Sequence, residues 1–555
     1  MSRNVKTWFN SGTPWIWLNA SAVSISIIMV TGLLLLIAVR GLGHFWPAAV
    51  LEADYIENDG VHIRLAGEIN ATESVSAERL RDAGINLDAG VTAEFERHLL
   101  KVGNRDVTGM DFRWVLDHKL ENRHYPRELV VVERREWGHL YGYLKQIDYQ
   151  GQTVTEEQRL WPLLQQQLTQ SLDLYEQIRA IEKHDIGAVN YALERLRLKQ
   201  RGLELDGEYD ITQQARLQRL RDELQQEYQQ QQQRLTALYE QFRQGRATMQ
   251  LASGQTVDVP LASMVRVYRP NAMSWLQKCG FYLSKVWEFV SDEPREANTE
   301  GGIFPAIFGT VMMVILMTVF VTPFGVIAAV YLREYAKQGV LTRTIRIAVN
   351  NLAGVPSIVY GVFGLGFFVY FLGGNIDQLF FPEALPSPTM GTPGILWASL
   401  TLALLTVPVV IVATEEGLAR IPRSIYEGSL ALGATKAETL WRTLLPMASP
   451  SMMTGLILAV ARAAGEVAPL MLVGVVKLAP SLPLDENFPF LHLDRKFMHL
   501  GFHIFDVGFQ SPNVEAARPL VYATALLLVL VIAALNIAAI MIRNRLREKY
   551  RALEH

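Results

Sequence analysis

The sequence predicts an α-helical polytopic membrane protein of six transmembrane helices. Between the first and second helices it predicts a mixed α/β insertion containing a long helical hairpin. Three observations carry this. Half of the residues are hydrophobic and only 19% are charged. The apolar residues gather in six runs, each near the ~20 residues that cross a bilayer core. Residues 44–300 break that pattern and alternate between strand and helix signals.

The runs lie near 20–39, 303–332, 352–372, 395–413, 451–476 and 520–542. The first follows Arg3 and Lys6, exceeds a signal-peptide core and has no small-residue cleavage site directly after it, so it reads as a retained anchor. Short basic loops stay on the cytoplasmic side. The loop after span 2 carries Arg333, Lys337, Arg343 and Arg346. The loop after span 4 carries Arg420, Arg423, Lys436 and Arg442, and the tail carries Arg543, Arg545, Arg547, Lys549 and Arg551. Residues 373–394 hold no Lys or Arg. One topology fits all six spans, with both termini cytoplasmic and residues 41–301 and 477–519 on the opposite side.

Three domains follow: 1–43 with span 1, the insertion 44–300, and a core 301–555 with spans 2–6 and a cytoplasmic loop about 415–446. Within the insertion, Val61, Ile63 and Leu65 alternate, and 128–144 is rich in Val, Tyr and Trp, so about 50–150 reads as strands. Leu160, Leu164, Leu168 and Leu172, then Leu217, Leu220, Leu224, Leu235 and Leu238, fall at helical spacing, giving a hairpin over about 155–246 with its turn near 202–207. Strands resume over about 247–270 and are expected to pair with the first set. Trp275, Leu276, Phe281, Trp287 and Phe289 suggest an amphipathic segment at the membrane surface.

Composition narrows the function. A net charge of -3 gives no reason to expect a nucleic-acid partner. With Cys279 the single cysteine, neither an intrachain disulfide nor a cysteine metal cluster is possible. No Gly-x-x-x-x-Gly-Lys-Ser/Thr phosphate loop occurs, so work driven by ATP needs another chain to bind it.

Pro422 and Pro446 delimit a cytoplasmic stretch in which Gly433 permits a sharp break between two helical pieces. Leu430, Leu432, Ala437, Leu440 and Trp441 supply an apolar face of the kind that lies in a groove on a soluble partner. An ordinary loop helix is the alternative. The stretch Glu427-Gly-Ser-Leu-Ala-Leu-Gly433-Ala-Thr-Lys-Ala-Glu-Thr-Leu-Trp-Arg-Thr443-Leu-Leu-Pro446 resembles the Glu-Ala-Ala loop of ABC-importer permeases. Glu427, Gly433, Leu445 and Pro446 match at that family's spacing; Gly428 and Ser429 replace its two alanines and Thr443 its usual Ile.

Further segments resemble the A-type permeases of the bacterial phosphate (Pst) importers. These are Gly301-Gly-Ile-Phe-Pro305-Ala-Ile-Phe-Gly309-Thr310, Asn351-Leu-Ala-Gly-Val-Pro356-Ser-Ile-Val-Tyr360-Gly361 and Ala461-Arg462-Ala-Ala-Gly465-Glu466-Val-Ala-Pro469. The likeness is strong over about 300–476, general over span 6, and absent from 41–300, which short family members lack. It implies the type I ABC importer permease fold in the bacterial inner membrane, so that the outer side on which the basic loops put residues 44–300 is the periplasm. It also implies a C-type permease partner, a homodimeric ATPase that binds ATP and Mg, a periplasmic phosphate-binding protein, and alternating access. It implies no catalysis by this chain, and no cofactor bound to it.

Arg462 and Glu466 share one helix face mid-span. A charge there costs about 2.5–3.5 kcal/mol on insertion scales and needs a partner or a wet cavity. The guanidinium fork suits phosphate oxygens. Arg462 is therefore expected to attract phosphate, with Glu466 holding it and limiting the affinity; a structural ion pair is the plain alternative. Gly465 and Pro469 are expected to loosen the helix. Asn350 and Asn351, at the start of span 3, line the path or cap and pack a helix. In the loop 477–519, His499 and His503 stand four apart, a weak two-ligand metal signal; contact with a docking protein is preferred for this loop. Two other functions compete: a permease for sulfate, molybdate or an amino acid, and a membrane sensor or scaffold with an extracytoplasmic coiled coil.

Overall fold

The computed structural model describes residues 11–57, 60–82, 85, 94–295, 299–511 and 514–550. Arg3, Lys6 and Arg551, among the basic residues that orient the chain, lie outside them. Among the described residues, six helices are long and apolar enough to cross a membrane: Thr13–Gly43, Phe304–Tyr335, Ser357–Phe380, Ile395–Ala419, Lys436–Gly465 and Ala517–Glu548. They are spans 1 to 6.

The insertion between spans 1 and 2 builds two antiparallel sheets. The first has strand order β4-β3-β2-β1-β5, from β1 (Val50–Ile56), β2 (His62–Ser76), β3 (Glu94–Lys101), β4 (Phe112–Leu116) and β5 (Leu120–His124). The second has the order β10-β9-β7-β6-β11, with β8 (Gln152–Val154) beside β7. Here β6 (Val130–Arg134) and β7 (His139–Tyr149) precede the hairpin, while β9 (Arg246–Gln250), β10 (Thr256–Pro260) and β11 (Met264–Tyr268) follow it. The chain leaves beside β7 and returns on β9, with Ile147 opposite Ala247. Leu140, Ile147, Met249 and Met264 fill the core, and Leu160, Leu164 and Leu168 of the first helix cover it. Asn271 pins the ends of this unit together. It accepts a hydrogen bond from Val50 N at 3.0 Å and donates to Val50 O at 2.9 Å, 221 residues away.

The hairpin's first limb is α1 (Glu157–Ala180), a π-helical turn Ile181–Asp185, and α2 (Ile186–Asp206). Gly207 ends it at φ 73, a left-handed conformation that glycine adopts without strain. Asp210 then caps α3 (Ile211–Phe242) by accepting from Gln213 N at 2.7 Å. The π turn is not visible in the heptad-like spacing of the leucines.

A fourth helix, α4 (Trp275–Ser291), starts on a Ser274–Gln277 capping box. Trp275, Leu276, Leu283 and Trp287 are exposed, while Phe289 is buried against Ile303 and Ala306. Ion pairs fix α4 and the following linker to the second sheet: Lys285–Glu133 at 2.6 Å, Arg266–Glu288 at 2.9 Å and Arg295–Glu288 at 2.6 Å.

Span 4 is the centre of the core, packed between spans 2 and 5. Its buried Ser399, Thr401 and Thr406 donate to the carbonyls one turn back at 2.7, 2.7 and 2.8 Å, so these three hydroxyls are satisfied within apolar surroundings. Gly455 brings span 5 close: a Cβ there would sit 2.3 Å from Ala413 Cβ. Span 1 stands apart and touches the core at span 6, where Gly41 meets the Ala523 backbone.

Two spans differ from their apolar runs. A separate amphipathic helix, Val340–Leu352, ends where span 3 was expected to begin, and span 3 starts at Ser357 after Pro356. Proline disfavours the helical conformation in the residue before it, which forces the break. The span 5 helix stops at Gly465 instead of reaching 476.

Candidate functional site

Two places hold the residues singled out by sequence. The first is a knob on the side of the basic loops. Its limbs are α5 (Arg423–Ala431) and α6 (Lys436–Thr439), with Gly433 between them at φ 89. Thr435 and Glu438 form a capping box that starts α6, and the Ser429 and Thr439 hydroxyls meet at 2.9 Å across the elbow. Below the elbow, Leu440 and Leu444 are buried with Leu418 and Ala448. Lys436 Nζ donates to Glu334 O and lies 4.7 Å from the Tyr335 ring centroid. The knob is thus held by the ends of both span 2 and span 5.

The tip is apolar and bare. Leu432 is 91% exposed and Trp441 71% exposed, and a Cβ on Gly433 would meet nothing within 4 Å. Glu427 is exposed beside them. Leu440, expected on this face, instead anchors the knob from inside, and Leu445 and Pro446 are partly buried where the knob rejoins span 5.

The second place is the end of the span 5 helix. Arg462 lies in its last turn and Glu466 is its C-cap, with Arg462 Nε 3.7 Å from Glu466 Oε1. Both side chains are partly exposed, at 33% and 22%. The chain then passes through Pro469 into the short helix Leu470–Val473. A helix that ends inside a bundle leaves carbonyl groups and the negative end of its dipole there. The Arg462 guanidinium stands at that end and offsets it. Gly361 lets span 3 press on the break: a Cβ there would lie 2.7 Å from Pro469 Cα.

Among the described residues, no hydrogen bond or ion pair joins Asn351 to this pair; Asn351 is exposed at the end of the helix before span 3. Tyr360 stands between them. Its hydroxyl donates to Leu352 O at 2.6 Å, and it lies within electrostatic reach of Arg462. Sequence reading passed over Tyr360, although it sits inside the Pro356–Gly361 motif. Asn350 lines a cleft of about 410 Å³ toward the knob side, together with Pro408, Glu416, Arg420, Ser451 and Thr454.

The histidines of the loop after span 5 are buried and paired within the chain. His492 is 2.9 Å from Asp485, His499 Nδ1 accepts from Gly501 N at 3.1 Å, and His503 meets the Thr524 hydroxyl at 3.4 Å. Among the described residues they form no metal-ligating group.

An apolar helical core broken at a buried-edge arginine, carrying a bare elbow on its basic side, is the build of an ABC importer permease subunit. Residues 321–551 match the family model described as binding-protein-dependent transport system inner membrane component. The phosphate transport system permease protein PstA 1 of Mycobacterium tuberculosis is 34% identical over 244 residues, covering 44% of this chain and 71% of that protein. The phosphate transport system permease protein PstA of Yersinia pestis is 32% identical over 251 residues, covering 45% of this chain and 75% of that protein. This chain belongs to the PstA-type permeases, which have the type I ABC importer permease fold, and is an integral membrane protein. Among solved structures, an inward-facing form of the MetNI methionine ABC transporter matches with a TM-score of 0.33 and 19% identity, over 43% of this chain and 94% of that one.

Proposed function

We propose that this chain is the A-type permease subunit of an ATP-driven inorganic phosphate importer in a bacterial inner membrane. The observation that supports this best is the likeness of its core to PstA permeases, in a chain whose fifth span ends on an arginine fork. Both termini and the knob face the cytoplasm, as the basic loops require; the insertion faces the periplasm. A C-type permease supplies the other half of the path. A periplasmic phosphate-binding protein delivers the anion.

The knob fits a groove on a homodimeric ATPase, which binds the ATP and Mg. Leu432 and Trp441 would leave water there. Because Lys436 grips the end of span 2 while Leu440 and Leu444 root the knob under span 5, a displacement of the elbow moves both spans together. This is what alternating access needs. Arg462 offers paired N–H donors to phosphate oxygens. Glu466 keeps the guanidinium in place and weakens the anion's hold, so that phosphate passes on. Asn351, Asn350 and Arg420 lie on the cytoplasmic side, where the anion would leave.

The guanidinium fork also suits sulfate or molybdate, so the test must discriminate. The complex is co-purified with its ATPase and partner permease and reconstituted in vesicles. Phosphate-loaded binding protein should stimulate ATP hydrolysis and labelled phosphate uptake; stimulation by sulfate or molybdate alone refutes the phosphate reading.

A further inference from the structure

The helical hairpin does not stand free of the core. At its base, Arg179 donates to Glu293 at 2.7 Å and Lys183 pairs with the same carboxylate, in the linker just ahead of span 2. Tyr239 of α3 donates to Glu182 at 2.7 Å and clamps the two limbs at that level. Beyond the π turn, the Tyr191 hydroxyl donates to Phe488 O, the Tyr191 ring meets His492 edge-on at 5.9 Å, and Arg195 lies 5.5 Å from the Phe488 ring centroid. The same helix packs along Pro382–Ala384, between spans 3 and 4.

The segment it touches is itself tied to the core. Asp485 gathers Arg495 at 2.6 Å and His492 at 2.9 Å. Arg495 O and Leu493 O then accept from Ile395 N and Leu396 N, the first turn of span 4, both at 3.0 Å. Phe497 bridges to Val475, just past the break that follows Glu466. One helical arm therefore links the approach to span 2, the 3–4 connection and the 5–6 connection.

From this geometry we infer that the arm is a strap across the outer mouth: the α2 contact at Phe488 is a latch that holds the outer ends of spans 2, 4 and 5 together and must release for the mouth to open. The inference rests on the importer reading. The latch is one hydrogen bond, one ring edge and one cation–π contact, each weak alone, so it opens without unfolding either side. The π turn at Ile181–Asp185 lies between the fixed base and the latch, and such turns inside helices are frequent at functional sites. A strap of this kind makes opening conditional on a second event at the outer face, such as arrival of the loaded binding protein.

The test uses the assembled transporter in vesicles. Tyr191→Cys and Phe488→Cys are combined in a Cys279→Ser background and joined by a reducible bis-methanethiosulfonate. The joined form should lose about tenfold of the ATP hydrolysis stimulated by loaded binding protein, and reduction should restore it. Conversely, Tyr191→Ala with Arg195→Ala should raise hydrolysis without binding protein about threefold or more. Full stimulation in the joined form, failure of the two thiols to be joined, or unchanged basal hydrolysis in the double alanine variant would each overturn the strap. Failure of the phosphate reading looks different: phosphate-loaded protein would not stimulate the parent complex at all, and the strap would then be tested with the oxyanion that does.

Discussion

Arg462 and Glu466 stand one helical turn apart, with Nε and Oε1 separated by 3.7 Å, and the fifth span stops being helical between them. The pair therefore sits where a helix end already exposes backbone carbonyls, which makes its charge balance consequential for any anion that passes.

Arg462→Gln should lower phosphate uptake by about a hundredfold in cells that depend on this system, because the forked donor is lost. Arg462→Lys should fall between, since a single ammonium cannot make two parallel bonds. Co-purification with the ATPase should be unchanged in both. Undiminished uptake by Arg462→Gln would reduce the pair to a brace.

At the knob, Leu432→Asp touches nothing within this chain, so thermal unfolding of the purified permease should shift by no more than about 0.5 kcal/mol. Pull-down of the ATPase, however, should fail. Gly433→Trp should do the same and add about 1–2 kcal/mol of local strain, since φ 89 is disfavoured for a residue with a Cβ. Retained pull-down with uptake intact would place ATPase contact elsewhere.

The contrast between these two places shows what a sequence makes legible. The elbow could be read because its cause is local: one glycine, two prolines and a run of apolar residues. The six spans could be read because an apolar run of sufficient length has few other uses. The end of the span 5 helix was only half visible. Gly465 and Pro469 suggested loosening, but the stop at Glu466 also depends on Gly361 of span 3 pressing against Pro469, a contact between distant residues. Tyr360 was missed for the same reason. The position of the hairpin was invisible, because Tyr191 and Phe488 are 297 residues apart and neither belongs to a motif.

Gly361 supplies a matched pair of substitutions. Gly361→Val would push a side chain into Pro469 Cα and hold span 3 away from the break, so uptake should fall at least about tenfold, in the range that small misplacements produce. Gly366→Ala, three residues beyond Phe363 in the same span, meets nothing within 4 Å and should transport normally. Equal uptake by both would show that the close approach does not matter.

Acid should loosen the insertion before it touches its ion pairs. Burial, and then the nearby Lys101, hold His139 well below its ordinary pKa of 6.5, so the folded form keeps it neutral. Its contribution is complete above about pH 6.5 and drains as pH falls below that value, by up to about 1.4 kcal/mol per pH unit. Burial alone would raise the Glu133 pKa, but Lys285 and Arg266 outweigh it and hold it below the usual carboxylate value. That ion pair therefore survives until the pH is lower still. Unfolding of the purified protein between pH 7 and 5 should be flatter for His139→Phe than for the parent; identical slopes would assign the effect to another group.

The double hydrogen bond between Val50 and Asn271 has a consequence for chain continuity. It closes the insertion at its neck, and β7 and β9 zip the two stems of the hairpin together above it. A backbone cut at the far turn, around Gly207, would leave both fragments gripped by strands on one sheet and rooted in different spans. The severed protein would stay in one piece as a two-chain permease, so the arm's tip is the place where a protease site or a reporter could be inserted while the rest of the molecule keeps its shape.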